Sequence, residues 1–149
     1  MDSIDKDLRS ILQIRKMRAD SLSRAARARE MERNSMAKDV VDKVQALTAT
    51  EIQVRQLQQE RLGELVSGQF VKIDRVEAFS KMQLRGVQQI MDANRDIELA
   101  QKRLESSNER LEESMQIAKV AEKKKIAILF EIKEKTKKKK KVLNTPLQA

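Results

Sequence analysis

The side chains with chemistry to offer are the charged ones, because the sequence holds 32 Lys and Arg and 23 Asp and Glu but no His and no Cys. Without imidazole, the commonest general base and the commonest transition-metal ligand are missing. Without thiols there is no disulfide frame and no thiolate metal or redox centre. The 9 Asp and 14 Glu could pair for acid–base catalysis, but nearly all stand beside Lys or Arg in helix-like sequence, the pattern of a solvated charged face. Neither G-x-x-x-x-G-K-[ST] nor G-x-G-x-x-G occurs, so no nucleotide is expected to bind by those loops. The expectation is a protein that is no enzyme, with no catalytic residue, cofactor or metal. What remains is charge pairing. The densest cationic run is Lys137-Lys138-Lys139-Lys140-Lys141, a patch suited to displacing counter-ions from an anionic partner.

The charge is unevenly placed. Residues 1–34 carry 9 basic and 6 acidic groups, residues 35–118 carry 12 and 14, and residues 119–149 carry 11 Lys and 3 Glu. Eight of the nine units of net positive charge therefore belong to the last 31 residues. A nearly neutral rod with one cationic end is a different object from a uniformly basic protein.

The elements that must position these charges follow from composition and spacing. One Pro, three Gly and 2% aromatic residues leave few turns and little to fill a three-dimensional core, so the elements must be few and long. Ile90, Ile97, Leu104 and Leu111 are spaced by seven, and Ala118 continues the row. A second row of small residues stands three positions later at Ala93, Ala100, Ser107, Ser114 and Ala121, and Gly86 extends it backwards. Large residues in one row and small ones in the other are a coiled-coil signal that lets backbones approach closely. The first half is looser, with Ile4, Leu8, Ile11 and Leu12, then Leu22, Ala25 and Ala26, then Val40, Val44, Leu47, Val54 and Leu57. Thr48, Ala49 and Thr50 form a weaker patch.

A break is predicted at 67–73, where Gly68 suits a helix stop. Asp74 and Glu77 have capping-box spacing, which starts the second helix at Arg75. Pro146 forbids helix in the last residues. The fold class expected is all-α: a long two-helix antiparallel coiled-coil hairpin, forming a single domain over 1–149. Its helices run from about 4 to 66 and from about 75 to 142, with a flexible Lys-rich tail to 149. Each arm would be roughly 95–100 Å long at 1.5 Å per residue. The hairpin brings both cationic ends to one tip. Two unbroken helices dimerising in parallel, or a single amphipathic surface helix, remain the alternatives. No apolar run approaches the roughly 18 residues needed to span a bilayer, and the acidic amino terminus lacks a signal-peptide pattern, so a cytoplasmic protein is expected.

The stretch from Leu8 to Ala25, basic and running into Ala-rich sequence, and the stretch from Ile73 to Leu84 after the break resemble the FliJ/YscO/HrpO group of flagellar-export and type III secretion stalk proteins. The likeness extends over nearly the whole chain in length and layout. It implies a fold like the two-helix coiled coil of a rotary-ATPase gamma subunit, and a stalk that binds the hexameric export ATPase and couples it to the export gate. Secretion chaperones are further implied partners. The implied location is cytoplasmic, at the cytoplasmic face of the inner-membrane secretion apparatus, with peripheral membrane association. On this reading Arg9, Arg15, Lys16, Arg18, Lys123, Lys124 and Lys125 would pair with acidic loops of the ATPase, setting orientation and association rate more than affinity. Phe79, just past the break, would anchor the gate contact. Each of these residues also has a plainer reading, as a solvated cation or, for Phe79, as a seam residue capping the hairpin.

The rival from a different class is a coiled coil that binds nucleic acid or anionic membrane through its Lys-rich end. No aromatic interleaves the lysines, so such binding would carry no sequence specificity. A structural spacer or chaperone-like hairpin is the third possibility.

Overall fold

A computed structural model describes the backbone of residues 2–67 and 73–144, and the side chains of residues 3–66 and 73–141. All described residues are helical and fall in two elements, α1 (Asp2–Ser67) and α2 (Ile73–Asn144), which pack against each other. Gly68, Pro146 and the last five residues, on which the expected stop and tail rest, lie outside the described residues.

Long uninterrupted helices are what this chain must form. No Pro falls within either helix, and Gly63 and Gly86 are their only glycines. Ion pairs one turn apart support the exposed faces: Arg29–Glu32 at 3.0 Å, Lys43–Asp39 at 3.8 Å, Arg61–Glu64 at 3.3 Å and Lys125–Glu122 at 2.9 Å. Each such pair contributes about 0.2–0.5 kcal/mol. The weak patch at Thr48 and Thr50 is helical, and each hydroxyl donates to a carbonyl one turn back, Thr48 to Val44 at 3.1 Å and Thr50 to Ala46 at 2.9 Å, which occupies the hydroxyl within the helix without strengthening it.

The start of α2 differs from the expectation. Ile73 is already helical, so Asp74 lies in the first turn instead of capping it. There its carboxylate faces the positive end of the helix dipole, and Lys141 in the last turn faces the negative end.

The chain divides into two compact units, one of residues 1–32 and 108–149, the other of residues 33–107. In the first unit, burial on α1 falls on Leu8, Leu12, Arg15, Ala19, Leu22 and Ala26, and on α2 on Leu111, Ser114, Ala118, Ala121, Lys125 and Ile128. In the second unit it falls on Arg33, Met36, Val40, Lys43, Leu47, Thr50 and Val54, and on Gly86, Ile90, Ala93, Ile97, Ala100, Leu104 and Ser107. Alternating steps of three and four run through both, which is the spacing of a narrow helical seam.

On α2 the seam coincides with the two rows of large and small residues. On α1 it departs from the apolar residues of the sequence. Ile4, Ile11, Ala25, Val44 and Leu57 are exposed, while Arg15, Arg29, Arg33 and Lys43 occupy shielded positions. The methylene stems of such long side chains can cover apolar surface, and at Arg33 the shielding extends to Nε of the guanidinium.

The second unit also contains a close approach. A Cβ added at Gly86 would lie 2.6 Å from Val54 Cγ1, so any side chain there would force the β-branched Val54 to shift. Nothing lies within 4 Å of a Cβ added at Gly63.

Candidate functional site

The charged residues singled out in the sequence belong to the first unit, with Phe79 the exception. That unit holds 20 basic and 12 acidic residues, a net of +8, whereas the second holds 12 and 11, a net of +1. Helical spacing alone cannot bring residues of α1 and residues of α2 together. The folded unit does so twice. Lys139 donates a hydrogen bond to Asp5, and Arg110 pairs with Glu32 at 3.5 Å. Early residues of α1 therefore meet late residues of α2. The hydrogen bond from Lys139 holds the Asp5 carboxyl below the usual carboxylate range, with Arg9 and Lys135 adding positive field and partial burial opposing them.

Arg15, Arg18 and Lys124 converge on a groove of about 240 Å³ whose remaining lining includes Leu22, Ile117, Val120 and Ala121. Its lining mixes these apolar side chains with the three cations, of which Arg18 and Lys124 are exposed and Arg15 is half-buried. A groove of this kind can take an acidic segment that also offers an apolar side chain, because the apolar lining rewards burial and the cations reward negative charge. Arg9, Lys16 and Lys123 are exposed and lie outside this groove. Lys125 differs from its neighbours. Its side chain is only 19% exposed, it falls in the seam row, and its ammonium pairs with Glu122. The triplet Lys123-Lys124-Lys125 thus splits into an exposed cation, a groove-lining cation and a seam cation.

Phe79 is half-buried in the second unit, in a different hollow. That hollow is shared with Leu65, Met82 and the Arg61–Glu64 pair, and Arg75 and Arg85 stand at it as well. It is more polar than the groove of the first unit.

Several exposed apolar side chains of the first unit were not singled out in the sequence. Ile117, Val120, Ile126 and Phe130 are all at least half exposed. The signal for the first two was present, since Ile117 and Val120 fall outside the 90-97-104-111-118 row and its small companion row. Ile117 and Val120 stand together on one groove and so form an open apolar patch, unlike singly scattered exposed residues.

Two polar atoms of the second unit, Arg33 Nε and Ser107 Oγ, are buried without a hydrogen-bond partner. Among the described residues no group of three carboxylates could hold a metal ion, and no helix is long and apolar enough to cross a membrane. No protein-family model matches the sequence, and no characterised protein or solved structure is significantly similar to it.

Proposed function

We propose that this chain is an antiparallel coiled-coil hairpin that serves as the central stalk of a type III secretion or flagellar export apparatus. It has no active site of its own. It binds the hexameric export ATPase through the first unit and couples it to the export gate at the cytoplasmic face of the membrane, with secretion chaperones as further partners. The cross-helix pairs Asp5–Lys139 and Glu32–Arg110 support the antiparallel arrangement, since the α2 partner number falls as the α1 number rises.

The observation that carries the reading is the concentration of charge. Eight of nine net positive units lie in the first unit, and three of its cations line one groove. A rod that must enter an acidic ring gains association rate and orientation from such a field. Arg15, Arg18 and Lys124 make the contact, assisted by Arg9, Lys16 and Lys123. Lys125, shielded and paired with Glu122 on its own helix, takes no part in the contact. Phe79 anchors the gate contact from the second unit.

The test is the hydrolysis rate of a purified hexameric export ATPase titrated with this protein. Wild type should stimulate turnover, and the triple variant Arg15→Glu/Arg18→Glu/Lys124→Glu should need roughly tenfold more protein at low salt, with helicity unchanged. Stimulation equal to wild type would remove the groove from the contact. Absence of stimulation or binding by wild type would remove the stalk reading altogether.

Exposed Lys137, Lys138 and Lys140 on α2 favour a second reading, binding to an anionic membrane or nucleic acid. Binding to acidic vesicles or duplex DNA that disappears on truncation after Thr136 would support it. Binding that survives the truncation would reject those lysines as the site.

A further inference from the structure

The surface of α2 between Glu109 and Lys124 changes character along its length. Glu109, Glu112 and Glu113 line one hollow together with Gln116 and Ile117. Gln116 and Ile117 also line the next hollow, with Val120, Lys124, Arg15 and Arg18. Positions 109, 113, 116, 117, 120 and 124 recur at helical spacing and share one face. At 1.5 Å per residue, Glu109 and Lys124 stand about 22 Å apart along the axis, with Gln116 and Ile117 midway between them. The face is acidic at one end, apolar in the middle and cationic at the other. Ile117 is 52% and Val120 51% exposed, so the apolar middle is open.

A surface with that order is complementary to itself turned end for end. We propose that the face is a homotypic interface whose occupant is a second copy of this chain, docked by a two-fold axis passing between Gln116 and Ile117. The axis sets Glu109 of each copy opposite Lys124 of the other and Glu113 opposite Val120, at the edge of the cationic end. It sets Gln116 opposite Ile117, so the apolar middles cover one another. An isologous contact of this kind satisfies both charge clusters twice with one patch. One helical stripe buries less than the about 800 Å² per partner of a standard stable interface, so the association is concentration-dependent and weakens with salt. The inference does not rest on the stalk reading. It does use the same groove, so a second copy and an acidic partner compete for Arg18 and Lys124.

The test is analytical ultracentrifugation of the full chain over a range of concentrations. Wild type should shift from one to two copies at low salt and return to one copy at 1 M salt, where the screening length is about 3 Å. The variant Glu109→Lys/Glu113→Lys should stay single, as should Arg18→Glu/Lys124→Glu, because each sets like charges face to face. An equimolar mixture of the two variants should pair again, since each now carries what the other lacks. Unchanged helicity in each variant shows that the hairpin is intact. A wild type that stays single at every concentration and at low salt overturns the proposal. So does a mixture that fails to restore pairing, or a wild type that stays single yet binds an acidic amphipathic peptide at the groove.

Discussion

The two compact units share one burial pattern and differ in almost everything outside it. Both shield residues at alternating steps of three and four on α1 and α2, in the second unit over residues 33–54 and 86–107. The first adds a net charge of +8 and links its helices by Asp5–Lys139 and Glu32–Arg110. The second is close to neutral and carries the tight Val54–Gly86 approach instead. Fold and partner selection are therefore written in different residues. The seam spacing decides where the helices touch, and the exterior of one unit decides what they can meet.

If the seams are equivalent, the same insult should cost the same in each. Ala19 in the first unit and Ala100 in the second are 3% and 2% exposed. Replacing either by Leu should destabilise by about 2 kcal/mol through overpacking, read as a fall in the thermal midpoint by circular dichroism. A large effect in one unit and none in the other would break the equivalence. The two glycines should then move in opposite directions. Gly86→Ala should lose about 1 kcal/mol net, because the clash with Val54 outweighs the better helix propensity of Ala. Gly63→Ala, with open space around it, should gain about 0.5–1 kcal/mol. Urea melts of both variants measure the sign.

The smallest effect belongs to the charged unit. Asp5 has a folded pKa below its unfolded value, so its contribution is present above the unfolded carboxylate range and is lost as pH falls through the depressed folded value. Unfolding measured across the acid limb should therefore be shallower in Asp5→Asn than in wild type, with the curves separating most at neutral pH. Superimposable curves would show that the Lys139 contact has no energetic weight in solution.

How much of this was legible depends on whether a position announces itself by polarity. Ile90, Ile97, Leu104 and Leu111 do, and their burial follows the seven-residue spacing, as does that of Ala93, Ala100, Ser107 and Ala121. The α1 seam was obscured because Arg15, Arg29, Arg33 and Lys43 occupy positions that the pattern reserves for apolar residues, while Ile11 and Val44 beside them point out. Stem burial is invisible to a hydrophobic–polar reading. The convergence of Arg15 and Arg18 with Lys124 needs the fold, since more than 100 residues intervene. The split among Lys123, Lys124 and Lys125 needs only the phase of the α2 rows, which already put Lys125 seven residues after Ala118.

Gly86 bears on a hazard of any repeating helix pair. When each row repeats every seven residues, sliding one helix by a full repeat exchanges like for like and loses little. Val54 is where that sliding would be felt. Seven residues on either side of Gly86 stand Phe79 and Ala93, and both have a Cβ where Val54 needs empty space. The missing side chain is a notch and the valine its tooth, and among the neighbouring repeats only one alignment lets them engage.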